Sequence, residues 1–365
     1  MDRRQLLKQA GLAAAAFAFS RDLFAAETNK PRFQNQNSSP VIKLSSNENP
    51  HGPSPLAKKA MMDMVNQSNR YPWEITTQLR EKIADAYQLT KEHVVVGAGS
   101  SELLGTVSLM AALQKGHAIA PSPTFQLWMP AAKTVGLPVE LIPLTTDKKT
   151  DLQRMKENIT AQTKMVYLCN PNNPVGNIIP SNELETFIKE VAPTCMLLLD
   201  EAYTEFSNEP SMIKWVNDFP NLVVAKTFSK IYGMAGARAG YAVAHPSTIK
   251  KLNDLQPWAN AGISTVTLAG AIASFNDQEF IRHCRTENEK AKKIFTDALT
   301  KNGLPFIPSH TSFVYFDTAS YPKDIRNLLE KNNIIGCRTF EEGTGWRRLS
   351  IGTSEEMKAV VNVLI

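Results

Sequence analysis

Residues 196–203 read Met-Leu-Leu-Leu-Asp-Glu-Ala-Tyr, and residues 222–230 read Leu-Val-Val-Ala-Lys-Thr-Phe-Ser-Lys. Each is an apolar run of strand length that stops abruptly at chemistry: two acids and a tyrosine in the first, two hydroxyls and a lysine in the second. Strands of this kind predict a mainly parallel sheet covered by helices, in which ligands gather at the C-terminal strand ends. A carboxylate there, such as Asp200, is shielded by the sheet and can hold a protonated heterocyclic nitrogen. A desolvated lysine there, such as Lys230, is an imine-forming amine.

Working outward, Val94–Val96 and Met165–Cys169 read as further strands of the same sheet, within a stretch from Leu79 to about Ala244 where β-rich runs alternate with helical patterns. After the first comes Gly97-Ala98-Gly99-Ser100-Ser101-Glu102, opening an apolar helical segment. Strand, glycine turn and helix start together form an anion site, because free backbone N–H groups and the helix dipole point at the turn. The lysine of a P-loop and the spacing of a dinucleotide fingerprint are both absent, so a lone phosphate monoester fits better than a nucleotide. Pro171-Asn172-Asn173-Pro174-Val175-Gly176 ends the second strand, and Arg238 follows Lys230 eight residues on. Beyond Pro257 the pattern turns to longer helices, Thr265–Phe275 and Phe280–Lys301, then strands at Phe313–Phe316 and Arg348–Ile351. The expected organisation is therefore an N-terminal arm at 41–68, a large domain at 69–257 and a smaller α+β domain at 258–365.

At 365 residues and 43% hydrophobic, the chain can bury the cores of two domains. Its net charge of +5, from 40 basic against 35 acidic residues, comes without a basic run, which excludes a nucleic-acid groove as an expectation. The four cysteines, Cys169, Cys195, Cys284 and Cys337, show no metal or redox spacing and are expected as buried thiols. At the N-terminus, Arg3-Arg4 precede an alanine-rich apolar stretch at Gly11–Phe19, with Ala25 and Ala26 as a small-residue cleavage site. This resembles a twin-arginine export signal over 1–26, followed by a polar linker at 27–40, and implies a periplasmic location, or a cytoplasmic one if the signal does not work. The stretch is too short to span a bilayer, and no later run approaches that length, so no stable membrane association is expected.

The glycine turn, the Asn-Pro loop, Asp-Glu-Ala-Tyr and Thr-Phe-Ser-Lys, in this order, resemble the fold-type I pyridoxal-phosphate enzymes of the aminotransferase class I and II family. The resemblance covers nearly the whole chain after the linker and implies an α/β fold with a helix-sandwiched, mainly parallel sheet. It implies that Lys230 holds the cofactor as a Schiff base and moves the substrate proton, and that Asp200 pairs with the ring nitrogen. Asn173 and Tyr203 would bond the phenolic oxygen, with Phe125 stacked on the ring. Ser100, Ser101, Thr227, Ser229 and Arg238 would hold the phosphate, with Glu102 also counted at the cofactor.

Within the class, Leu44-Ser45-Ser46-Asn47-Glu48-Asn49-Pro50-His51-Gly52-Pro53, Arg70-Tyr71-Pro72 and Arg348-Leu349-Ser350-Ile351-Gly352-Thr353 are similar to the histidinol-phosphate aminotransferase family. That resemblance implies that Arg348 grips the substrate carboxylate in a bidentate fork, with Arg338 and Asn49 also on the substrate side. Tyr71 would reach the cofactor phosphate of the other subunit, implying a homodimer with shared active sites. Val175, Phe125 and Ser312 depart from the residues common in that family and bear on pocket shape. An exported enzyme would stand apart from cytoplasmic histidine synthesis, so a free aromatic or basic amino acid is as open as histidinol phosphate for the donor, with a 2-oxo acid such as 2-oxoglutarate as acceptor. A decarboxylase with the same cofactor site is the alternative, and a non-catalytic cofactor-binding domain a remote one.

Overall fold

Leu197–Leu199 and Leu222–Val224 are wholly buried and lie side by side, so strand β-propensity and two-sided burial act together at the centre of the molecule. A computed structural model describes residues 41–364, and the expected export signal and linker lie outside the described residues. In chain order the strands are β1 (Ile42–Lys43), β2 (Val94–Gly97), β3 (His117–Ser122), β4 (Val139–Pro143), β5 (Thr163–Cys169), β6 (Met196–Asp200) and β7 (Leu222–Thr227). They continue with β8 (Gly240–Ala244), β9 (Phe306–Ile307), β10 (Phe313–Asp317), β11 (Ile334–Ile335), β12 (Arg338–Thr339) and β13 (Trp346–Ser350).

The seven-stranded sheet has the order β2-β8-β7-β6-β5-β3-β4. All its pairings are parallel except those of β8, which runs antiparallel to both neighbours. Register sets Cys169 beside Asp200 and Asp200 beside Ala225, while Thr227, Gly240 and Gly97 line up on the other side. The chemistry-bearing ends of β5, β6, β7 and β2 therefore share one edge of the sheet.

Helices cover both faces because their apolar residues recur at helical spacing. In the helix Ser181–Val191, Leu184, Phe187, Ile188 and Val191 form one buried stripe. The long helix Gln278–Lys301 starts at Asp277, whose carboxylate accepts the N–H of Phe280, and buries Ile281, Cys284, Ala291, Phe295 and Leu299. Its N-terminal half packs on the large-sheet core, and its C-terminal half packs on a separate core built from Leu44, Val314, Phe316, Leu349, Ile351 and Val360. That second core lies on a four-stranded sheet of order β12-β13-β10-β9.

Two expected boundaries change. The helix Thr265–Asn276 belongs with the large sheet, since Leu268 and Ala271 lie in its core and Gly270 lets Met61 of the helix Pro55–Met64 come close. The crossover to the small domain thus falls inside the helix Gln278–Lys301, not at 258. The arm at 41–68 is also divided: β1 pairs in parallel with β11, and Leu44 is buried in the small core. All four cysteines are free and buried. Among the described residues no helix is long and apolar enough to cross a membrane.

Candidate active site

A cavity of about 540 Å³ opens at the C-terminal ends of β5, β6 and β7. At its floor lies Asp200, 2% exposed. Its Oδ2 accepts the Tyr167 hydroxyl at 3.1 Å and its Oδ1 accepts the Ala202 N–H at 3.2 Å. Burial pushes this carboxyl up to about 6, while the Tyr167 and Ala202 hydrogen bonds and the nearby Lys230 charge pull the other way. An acid with so few partners in an apolar floor is poised for a cationic ligand atom, as a protonated ring nitrogen would be.

Lys230 leaves the turn after β7 and reaches back over the cavity. Its Nζ donates to the Ser46 carbonyl at 3.2 Å and sits 5.7 Å from the centre of the Tyr203 ring. The side chain opens to the cavity, yet protein packs around it closely enough that desolvation, with Arg348 second, brings the amine down to about 8. At neutral pH a usable fraction is therefore neutral and nucleophilic.

At one end of the cavity stand Ser100 and Ser101, the first residues of the 13-residue helix Ser100–Ala112. Arg238 holds a left-handed backbone with φ of 61°. Its Nη1 donates to Ser229 Oγ at 3.3 Å and its Nη2 to the Ala98 carbonyl at 3.4 Å, which sets the guanidinium beside the helix start. Thr227 donates its hydroxyl proton to Ser229 Oγ at 2.9 Å. Gly99 has φ of 83°, and a Cβ there would run into the Arg238 guanidinium, so only glycine permits this approach. A helix N-terminus, four hydroxyl-bearing residues and an arginine form a cradle suited to a phosphate.

At the other end, Arg348 is 3% exposed, and burial lowers it to about 10. It donates to Asn173 Oδ1 at 2.5 Å and to the Ser45 carbonyl at 2.8 Å, and among the described residues its buried Nε has no partner. The Phe313 and Phe340 rings face its guanidinium at 5.3 and 4.6 Å. A buried cation held this way and left with spare donor capacity fits a planar carboxylate. The Tyr203 hydroxyl accepts from Asn173 Nδ2 at 3.4 Å and from Asn47 Nδ2 at 3.0 Å. Phe125, half-buried, and Arg338, exposed, complete the walls.

Two expected positions lie elsewhere, and a third was expected at the site of a second subunit. Asn49 donates to the Ile231 carbonyl at 2.7 Å and to Cys284 Sγ at 3.3 Å, so it ties the arm to the fold and does not line the cavity. Glu102 turns its carboxylate back onto the Ala98 N–H at 2.6 Å and Gln256 at 2.9 Å; it closes the glycine turn, and an anion there would repel a phosphate. Tyr71 is 70% exposed and packs against Trp73 and Trp258, away from its own chain's cavity. The residue missed is Asn47. It is buried with φ of 54°, donates its backbone N–H to Ser350 Oγ and accepts that hydroxyl's proton, both at 2.8 Å, and it orients Tyr203. Asn49, two residues on, was expected in its place, and the tolerance of asparagine for left-handed backbone was the available signal. Tyr167 was missed as well, since it lies inside the strand and not at its end.

The amine, the isolated carboxylate and the phosphate cradle fit pyridoxal phosphate, with nothing among them opposing it. Comparison with known proteins agrees. The family model described as aminotransferase class I and II matches residues 39–364. Histidinol-phosphate aminotransferase from Brevibacillus brevis is 34% identical over 328 residues, covering 89% of each chain. That from Caldicellulosiruptor saccharolyticus is 35% identical, covering 89% of this chain and 91% of its own. The solved histidinol-phosphate aminotransferase of Sinorhizobium meliloti, in complex with pyridoxal-5'-phosphate, superposes with a TM-score of 0.82 at 25% identity over 89% of both chains. With the match running through the whole site, the chain belongs to the aminotransferase class I and II family and is a pyridoxal-phosphate-dependent aminotransferase of fold type I.

Proposed function

We propose that this enzyme moves an amino group from a histidinol-phosphate-like, aromatic or basic amino donor to a 2-oxo acid such as 2-oxoglutarate. The observation that carries the assignment of roles is that Lys230, Asp200 and Arg348 face one cavity whose far end is a phosphate cradle. When bound, pyridoxal phosphate supplies a protonated ring that takes up the electron pair left at a carbon when its proton departs.

The chain's own residues do the rest. Ser100, Ser101, Thr227, Ser229 and Arg238 would hold the phosphate, and Asp200 would keep the ring nitrogen protonated. Tyr203, with Asn47 and Asn173 already donating to its oxygen, has its own proton free for the phenolic oxygen of the cofactor. Phe125 covers the ring. Arg348 fixes the donor's anionic group, so that the Cα–H bond is presented to Lys230. Lys230 Nζ, lowered by burial so that a fraction is neutral, would take that proton as general base and hold it for return during the transfer.

The test is Lys230→Ala. The variant should bind the cofactor weakly and lose both its imine absorbance and its turnover, and near-normal turnover would refute the assignment. Carbon dioxide release with no amine left on the cofactor would move the enzyme to the decarboxylases.

The active unit in this reading is a homodimer in which Tyr71 serves the partner's phosphate cradle. Its exposure within one chain, in a cluster with Trp73 and Trp258, supports that reading. A monomer by sedimentation at working concentration would remove it. Export by the twin-arginine route rests on Arg3-Arg4 and the apolar stretch after them. Replacing both arginines by lysine should leave the enzyme in the cytoplasmic fraction, and unchanged fractionation would dismiss export by that route.

A further inference from the structure

The cavity mouth carries two charges that the reaction itself does not use. Arg338 on β12 and Glu342 just beyond it both line the cavity and are exposed, and among the described residues neither has an ion-pair partner within 4.0 Å. Between them in sequence is Phe340, whose ring centre lies 5.4 Å from the Arg338 guanidinium and 4.6 Å from that of Arg348. A ring in that place gives the side-chain end of the cavity a flat apolar wall.

The segment that carries Glu342 is anchored. Lys148, in the turn after β4, donates to both oxygens of Glu341 at 2.9 and 2.6 Å, with the two side chains only 19% and 17% exposed. The same ammonium lies 5.2 Å from the Trp346 ring centre, and Trp346 stacks on Tyr315. The Lys148 carbonyl in turn accepts Asn177 Nδ2 at 2.6 Å, and the Glu341 carbonyl accepts the Thr344 hydroxyl. Of the adjacent acids, one is consumed in holding the loop and the other is left facing the cavity.

Resting on the transamination reading, we infer that Glu342 is a specificity residue that recognises the donor: it takes a side chain ending in a flat ring with an N–H or positive charge, as imidazole does, opposite Arg338, which the family resemblance already puts on the substrate side. A transaminase must admit two substrates of different charge to one pocket. A cation and an anion at the mouth, each without a protein partner, let each substrate find its own contact without moving the wall.

The experiment uses the loaded enzyme and two unreactive carboxylates, imidazole-4-propionate and glutarate, titrated calorimetrically near pH 6. In Glu342→Gln, the Kd for imidazole-4-propionate should rise roughly two- to fivefold, as expected for losing one charge contact at a solvated rim, and the Kd for glutarate should fall. Glu342→Lys should exaggerate both shifts, and Arg338→Gln should reverse their signs. Loosening the anchor with Lys148→Met should weaken imidazole-4-propionate binding, and the exchanged pair Lys148→Glu with Glu341→Lys should restore it. Parallel shifts for the two ligands, or none, overturn the inference while leaving transamination intact. A wild-type enzyme that gives no single-turnover amine transfer with any donor overturns the reading beneath it, and this inference with it.

Discussion

Tyr167→Phe isolates the group that sets the ionisation of Asp200. The wild-type tyrosine is fully buried, its ring 4.9 Å from Trp128, and its hydroxyl is the one side-chain donor to Asp200 among the described residues. Phenylalanine keeps the ring and its packing, so the loss is a single hydrogen bond to a charged group. Such bonds contribute about 1.5–3 kcal/mol, which at 1.36 kcal/mol per unit raises the carboxyl by roughly one to two units. Asp200 starts at about 6 because burial disfavours its charge. The variant should therefore hold a largely protonated acid at neutral pH, where the wild type holds a carboxylate.

The assay is cofactor affinity against pH, measured in a Lys230→Ala background so that the lysine's own titration is absent. Affinity in both proteins should rise with pH as Asp200 ionises, both midpoints lying higher than in the intact enzyme because the Lys230 charge is gone, with the variant's midpoint displaced upward from the other by that one to two units. Titration of the cofactor is common to both and cancels. Of the other groups near Asp200, Cys169 and Tyr203 are pushed up by burial and stay neutral, and Glu201 is paired with Lys226 at 3.3 Å. Superimposable curves would refute the argument that this hydrogen bond governs the acid.

Covalent capture of pyridoxal phosphate by the apoenzyme, trapped with borohydride, should speed up with pH through a midpoint near 8 and level off above it, because Lys230 must lose its proton to attack and its amine is lowered to about 8. A rate that does not change between pH 6 and 10 would show that the amine is not the titrating group. Asn47→Ala should lower kcat and cofactor affinity together, by about 1–3 kcal/mol each, through the lost hold on Tyr203. Asn49→Ala should lower Tm and leave kcat/KM in place, since its bonds to Ile231 and Cys284 are structural. If the two variants exchange phenotypes, the assignment of the arm is inverted.

That last contrast shows where sequence stops informing. Asp200 and Lys230 were legible because each follows a buried apolar run, and strand ends in a parallel sheet gather at one edge whatever the detail of the loops. The pairing of Cys169 with Asp200 and of Thr227 with Gly240 follows from the same regularity. Strands β3 and β4 were harder to see. Ala118 and Ala120 are small, both strands run into proline, and β4 pairs on one side only, so its alternation is broken by exposed Glu140 and Leu141. The helix Thr265–Asn276 is buried on most of its circumference, with Thr265, Thr267, Leu268, Ala269, Gly270 and Ala271 all covered, and a pattern without a polar face cannot show which domain it serves.

In the part of the arm before the helix Pro55–Met64 there is no periodicity, and side-chain direction turns on single backbone angles. With φ of 54° at Asn47, that side chain points at Tyr203, and Asn49, two residues on, faces the opposite partners. Glu102 illustrates the same limit inside a helix's first turn. Its position beside an anion cradle is readable, but the rotamer that returns its carboxylate to the Ala98 N–H depends on Gln256, more than 150 residues away. Residues whose role depends on regular structure can be assigned from the chain alone. Residues whose role depends on one torsion or one distant partner cannot, and for Tyr71 the deciding partner in the proposed dimer would be a second copy of the chain.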